Sequence, residues 1–182
     1  GIGMALRLSG AETRRGAVGT ALAGFGALFL GIGYLQESLS GTAEGFDLAS
    51  LSGRGVGSVV AFVLAGLLLT TLMQSSSAAL AIVLTLAESG LLPLHEGAAA
   101  VIGANIGTTV TALIAAIGAT PNARRAAAAH VLFNVLTGGV ALLLLPFLVS
   151  SVDLLRDGLA LDHSPATQLA LFHTVFNLLG VL

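Results

Sequence analysis

The stretch Val56–Ala87 reads VGSVVAFVLAGLLLTTLMQSSSAALAIVLTLA, and its reading decides the fold. Both ends are apolar, while the middle carries Gln74-Ser75-Ser76-Ser77. A membrane-spanning helix needs about 20 mostly apolar residues, so the stretch is too long for one plain crossing. It either crosses with a polar interruption or enters and leaves on one side as a re-entrant hairpin. Non-helical backbone at membrane depth is tolerated only where protein or a water-filled cavity surrounds it. A hairpin tip at 74–77 would therefore sit near mid-membrane, between two apolar arms.

Composition supports a membrane setting. Of 182 residues, 55% are hydrophobic and only 9% charged, with no lysine. Soluble domains carry about 25% charged residues, so this chain could not cover its own surface in water. The formal charge of −2 leaves no footprint for nucleic acid. Without cysteine there is no disulfide framework, thiolate metal site or cysteine nucleophile. The 24 glycines suit closely packed membrane helices. Tryptophan is absent, which weakens the usual aromatic belt.

Working outward, hydropathy predicts an all-α integral membrane chain. A transmembrane helix is expected over 17–36, then the hairpin over 56–87. A transmembrane helix broken at Gly103–Gly107 follows over 97–117, another helix over 126–149, and a truncated one over 166–182. No secretory signal is read at the start, and both ends look cut, so a fragment of a longer protein is expected. The arginines favour the hairpin, because cytoplasmic loops are enriched in Lys and Arg. A hairpin puts Arg7, Arg14, Arg15, Arg124 and Arg125 on one side. The other side then holds Arg54, Arg156 and every acidic residue except Glu12.

Two polar clusters interrupt the apolar stretches: Gln74-Ser75-Ser76-Ser77, and Asn105 with Thr108, Thr109 and Thr111. At a hairpin tip one arm exposes unpaired carbonyls and the other unpaired N–H groups. Carbonyl, Gln74 and serine oxygens can hold a hard cation such as sodium. The N–H groups can hold an anion. Discontinuous helices meeting near the midplane build secondary-transporter sites. Simpler readings exist: Gly103-x-x-x-Gly107 is a helix-packing spacing, and membrane serines can bond back to their own helix.

His130/Asn134 and His173/Asn177 each lie at i, i+4 on one helix face, both within His-x-x-Phe-Asn. They read first as polar glue between helices. The same pattern resembles part of rhomboid intramembrane proteases, but their Gly-x-Ser-Gly nucleophile motif is absent. His95 and His163 are expected in wet loops, and Glu88 and Glu96 are expected to mark the membrane interface. Asp153, Arg156, Asp157 and Asp162 are expected in an ordinary polar loop.

Taken together, TLMQSSSAALAIVL, VIGANIGTTVTALIAA, ARRAAAAHVLFNV and LFHTVFNLL resemble the sodium/phosphate cotransporter family, meaning the type II sodium-dependent transporters and their bacterial relatives. The resemblance covers nearly the whole chain from Ala17 onward. It implies two inverted repeats, of which this chain looks like the second, with phosphate and sodium bound between them. Carried onto this sequence, it implies Ser75, Ser76, Ser77, Thr108 and Thr109 as phosphate-binding. Gln74, Ser75, Ser76, Asn105 and Thr108 would be the sodium-binding positions. The partners implied are inorganic phosphate, sodium ions, the missing partner repeat and the lipid bilayer of a plasma membrane. Sodium is the coupling ion, and neither a further cofactor nor covalent chemistry is required. The residues alone leave open a sodium-coupled carrier of another small anion, or a membrane packing module.

Overall fold

A computed structural model describes residues 1–42, 53 and 55–181, apart from the side chains of 35, 36 and 39–42. Of the polar loop expected to hold Glu37, Glu44, Asp47 and Arg54, the last three lie outside the described residues, while Glu37 lies on the helix Arg14–Thr42. What is described is helical and falls into two units, Gly1–Thr42 and Ala43–Leu182.

The first unit pairs α1 (Ile2–Leu8) with α2 (Arg14–Thr42). Their backbones approach closely at glycines: a Cβ on Gly3 would lie 2.8 Å from the Gly19 carbonyl oxygen. α2 is apolar around its circumference, exposing Leu22, Phe25, Phe29 and Leu30. A helix that is apolar on every side suits lipid.

The second unit holds α3 (Val56–Met73), α4 (Ser76–Glu88), α5 (Leu94–Gly107), α6 (Thr109–Ala115), α7 (Pro121–Leu143), α8 (Leu145–Gly158) and α9 (Pro165–Leu179). α3 and α5 run parallel. Ser58 meets Glu96 near both N-termini, Val63 faces Gly103, and Thr70 faces Gly107 near both C-termini. A Cβ on Gly66 would overlap the Ala100 carbonyl, and one on Gly103 would overlap that of Val63. Only glycine permits so close an approach, as at small-residue seams between membrane helices.

α4 runs back against this pair. Its C-terminal Glu88 accepts a hydrogen bond from the Ala166 N–H at 3.2 Å, at the start of α9. α9 begins beside the start of α5, with Leu169 over Gly97. α7 is antiparallel to α5, with Asn134 bonded to Asn105 and Gly138 under Ile102 and Ile106. Phe172, Phe176, Ile102, Val101, Leu145 and Leu169 fill the core.

Four described helices are long and apolar enough to cross a membrane: Arg14–Tyr34, Val56–Met73, Leu94–Ala115 and Pro121–Leu143. α3, with 18 residues, is about 27 Å long at 1.5 Å per residue. That approaches the about 30 Å hydrocarbon thickness.

Several expectations are corrected. Helix α5 passes through Gly103–Gly107 without interruption, because those glycines receive the α3 backbone. The boundary falls at Thr108, whose backbone stays right-handed helical. The helix expected over 126–149 is two helices, since Pro146 enters the first turn of α8 after Leu144 closes α7. Proline inside a helix removes a hydrogen bond and clashes with the carbonyl four residues back. Asp153, Arg156 and Asp157 sit on α8 and not in a loop. There the buried Arg156 pairs with Asp153 at 3.2 Å and Asp157 at 3.0 Å. Glu96 is buried at 6% exposure, accepting a 3.4 Å hydrogen bond from the Ser58 hydroxyl. His95 is exposed as expected, though on the first turn of α5.

Candidate functional site

The first polar cluster forms the turn between α3 and α4. Gln74 closes α3 in the left-handed region (φ 52°, ψ 28°), uncommon for a non-glycine residue. Its side-chain amide turns back to donate to the Thr71 carbonyl. Ser75 is extended, and its hydroxyl accepts from the Ala78 N–H at 3.2 Å, which starts α4. That cap leaves the Ser76 and Ser77 N–H groups in the first turn, where a helix offers them no partner. One turn earlier, Thr70 is buried at 2% exposure, and its hydroxyl has no hydrogen-bond partner.

The second cluster lies where α5 gives way to α6. The Asn105 amide donates to the Asn134 Oδ1 at 2.8 Å, and the Asn134 amide donates to the His130 carbonyl at 2.9 Å. Thr108, Thr109 and Thr111 each donate to a carbonyl three residues back: those of Asn105 (2.6 Å), Ile106 (2.8 Å) and Thr108 (2.6 Å). Asn105 and Thr108 line a cavity of about 270 Å³ with His130, Asn134, Thr137 and Asn177. None of Gln74, Ser75, Ser76 or Ser77 lines it. The two clusters are linked through the α3–α5 seam: Thr70, one turn before Gln74, lies against Gly107, next to Thr108.

Among the described residues, no group of three or more His, Asp or Glu side chains is placed to hold a metal ion. The site is built from neutral oxygens and amides. Residues 40–157 match the family model described as Na+/Pi-cotransporter.

The chain belongs to the Na+/Pi-cotransporter family.

Relatives agree. YqeW of Bacillus subtilis, whose name assigns no activity, is 33% identical over 91% of this chain and 52% of its own length. YjbB of Escherichia coli K12, named provisionally as an inorganic phosphate export protein, is 27% identical over the whole chain and 32% of its own length. Rabbit (Oryctolagus cuniculus) sodium-dependent phosphate transport protein 2A is 41% identical over 48% of this chain and 14% of its own. The chain thus spans about half or less of these relatives. No solved structure matches it.

In this cotransporter-family chain the structure adds residues that sequence reading left as helix glue. Asn134 and Asn177 border the cavity of Asn105 and Thr108, joining α7 and α9 to it, together with Thr137, which the sequence did not single out. The signal was present in the doubled His-x-x-Phe-Asn. What periodicity could not supply was the facing partner.

Proposed function

We propose that this chain contributes half of the substrate and sodium site of a sodium-dependent phosphate transporter of the plasma membrane. The carrying observation is the turn at Gln74–Ser77, with free N–H groups and hydroxyls, one turn beyond the packing of Thr70 on Gly107 at the end of α5. The sodium-dependent phosphate transport named for a mammalian relative supports the choice of substrates. In this reading α3 and α4 enter and leave the membrane on one side, α5 and α6 together form the discontinuous crossing, and a partner repeat completes the site. Ser75, Ser76, Ser77, Thr108 and Thr109 face phosphate, while Gln74, Ser75, Ser76, Asn105 and Thr108 face sodium.

Charge gives the coupling its reason. Phosphate carries one or two negative charges at neutral pH, and burying them without a countercharge is costly. No Lys or Arg occurs between Gly55 and Ala123. Helix-end dipoles and hydroxyls lessen that cost, and a co-bound sodium ion supplies the countercharge. Anion and cation then bind best together, and rocking of one repeat against the other exposes them to each side in turn.

The test is radiolabelled phosphate uptake by the full-length protein in proteoliposomes, with and without a sodium gradient. Sodium-driven uptake that disappears in Gln74→Ala is expected. Equal uptake in sodium and in a large inert cation would overturn the coupling. Uptake of sulfate or a carboxylate in preference to phosphate would move the reading to another anion.

A further inference from the structure

We infer that the cavity between α5, α7 and α9 is the sodium site, separate from the phosphate-binding turn, and that Asn134 positions its principal ligand, Asn105. The inference rests on the transport reading and divides its site in two.

It follows from where the hydrogen-bond donors point. The His130 carbonyl can only accept, so it fixes the Asn134 side chain with Nδ2 toward it, at 2.9 Å. Asn134 must then present Oδ1 to its neighbour, which fixes Asn105 with Nδ2 inward, at 2.8 Å. One backbone carbonyl thereby sets two amide orientations, and the Asn105 Oδ1 remains with lone pairs to offer. Asn177 repeats the device on α9: its Nδ2 donates to the His173 carbonyl at 2.7 Å, leaving its Oδ1 unengaged. Thr108 spends its proton on the Asn105 carbonyl, so it too faces outward as an acceptor.

The cavity is therefore bordered by side-chain oxygens of Asn105, Asn177 and Thr108 with lone pairs to offer, beside the Thr137 hydroxyl and the His130 ring. Those oxygens offer lone pairs to a hard cation. The cavity volume of about 270 Å³ also leaves room for water to complete a coordination shell. The turn is the reverse case, with the first N–H groups of α4 unpaired. Phosphate belongs at the turn with Ser75, Ser76 and Ser77. Thr108 and Thr109, whose protons are committed to carbonyls, leave the phosphate set.

The test uses the full-length protein and two readouts. The first is the sodium-dependent rise in thermal unfolding temperature in detergent, without phosphate, in sodium chloride against choline chloride. The second is phosphate uptake as a function of each ion. Asn134→Ala and Asn177→Ala should each raise the half-saturating sodium concentration about tenfold or more and blunt the sodium-induced stabilisation. The phosphate KM at saturating sodium should stay within about twofold. Asn134→Asp keeps the acceptor for Asn105 but loses the donor to the His130 carbonyl, and should recover part of the sodium affinity that Asn134→Ala loses. A raised phosphate KM with unchanged sodium dependence, or no change in either, overturns the inference. So does an Asn134→Asp variant no better than Asn134→Ala. If the wild type takes up no phosphate yet shows sodium stabilisation that Asn177→Ala removes, the sodium site stands and the transport reading falls.

Discussion

At Gln74 two demands meet on one residue. The backbone must turn left-handed to end α3, which for an L residue costs on the order of 1–2 kcal/mol, and glycine would meet that demand without strain. Glutamine at this position fits a side chain wanted for itself. Gln74→Gly should therefore keep or slightly raise stability while abolishing sodium-driven uptake. Full uptake by Gln74→Gly would show that the turn needs only its shape. Ser75 separates the same two demands differently. Ser75→Ala should lose the cap on the Ala78 N–H, costing about 1 kcal/mol, and lose uptake as well. Ser75→Asp restores a capping oxygen but adds a negative charge beside the proposed phosphate. Its unfolding temperature should recover in a thermal melt while uptake does not.

Among the helices, the seam between α3 and α5 sets the strongest constraint. Gly103→Ala drives a methyl into the Val63 carbonyl. Backbone cannot yield as a side chain does, so a loss of about 1–3 kcal/mol is expected. Gly139→Ala, on α7 with nothing within 4 Å of a new Cβ, should instead be neutral or stabilising by up to about 1 kcal/mol. Thermal unfolding of the two variants side by side in detergent checks the contrast. Much at this scale was legible in the sequence, because an apolar run interrupted by Gln-Ser-Ser-Ser can hardly continue as one helix. The end of α7 before Pro146 was missed, because hydropathy runs smoothly across it and conceals the break. α8 was misread because its Asp and Arg residues resemble a loop by composition. On the helix they pair with one another and with Gln168, which donates to Asp153 at 2.8 Å. Gly103 and Gly107 were read both as a break and as a packing spacing. Which applies depends on whether another backbone arrives, and that is a tertiary fact.

For the whole protein, the proposed coupling predicts that apparent phosphate affinity rises steeply with sodium concentration. A phosphate KM measured in proteoliposomes that is flat from low to high sodium would contradict it. Asn105 and Thr108 could be named from sequence because they interrupt an apolar stretch. Asn134 and Asn177 could be seen but not placed, since helical spacing gives a face and leaves its neighbour open. The glycine seam carries a mechanical consequence. Two helices whose backbones interlock cannot slide past each other without one carbonyl riding over a glycine. Pulling them apart would open the core beneath. α3 and α5 therefore behave as a single mast, and the polar turn travels with the α5–α6 junction whenever the protein moves. Spin labels at Leu64 and Ala104 should hold one separation in inward- and outward-trapped preparations alike, so the hinge of any gating cycle has to be sought elsewhere in the chain or its partner.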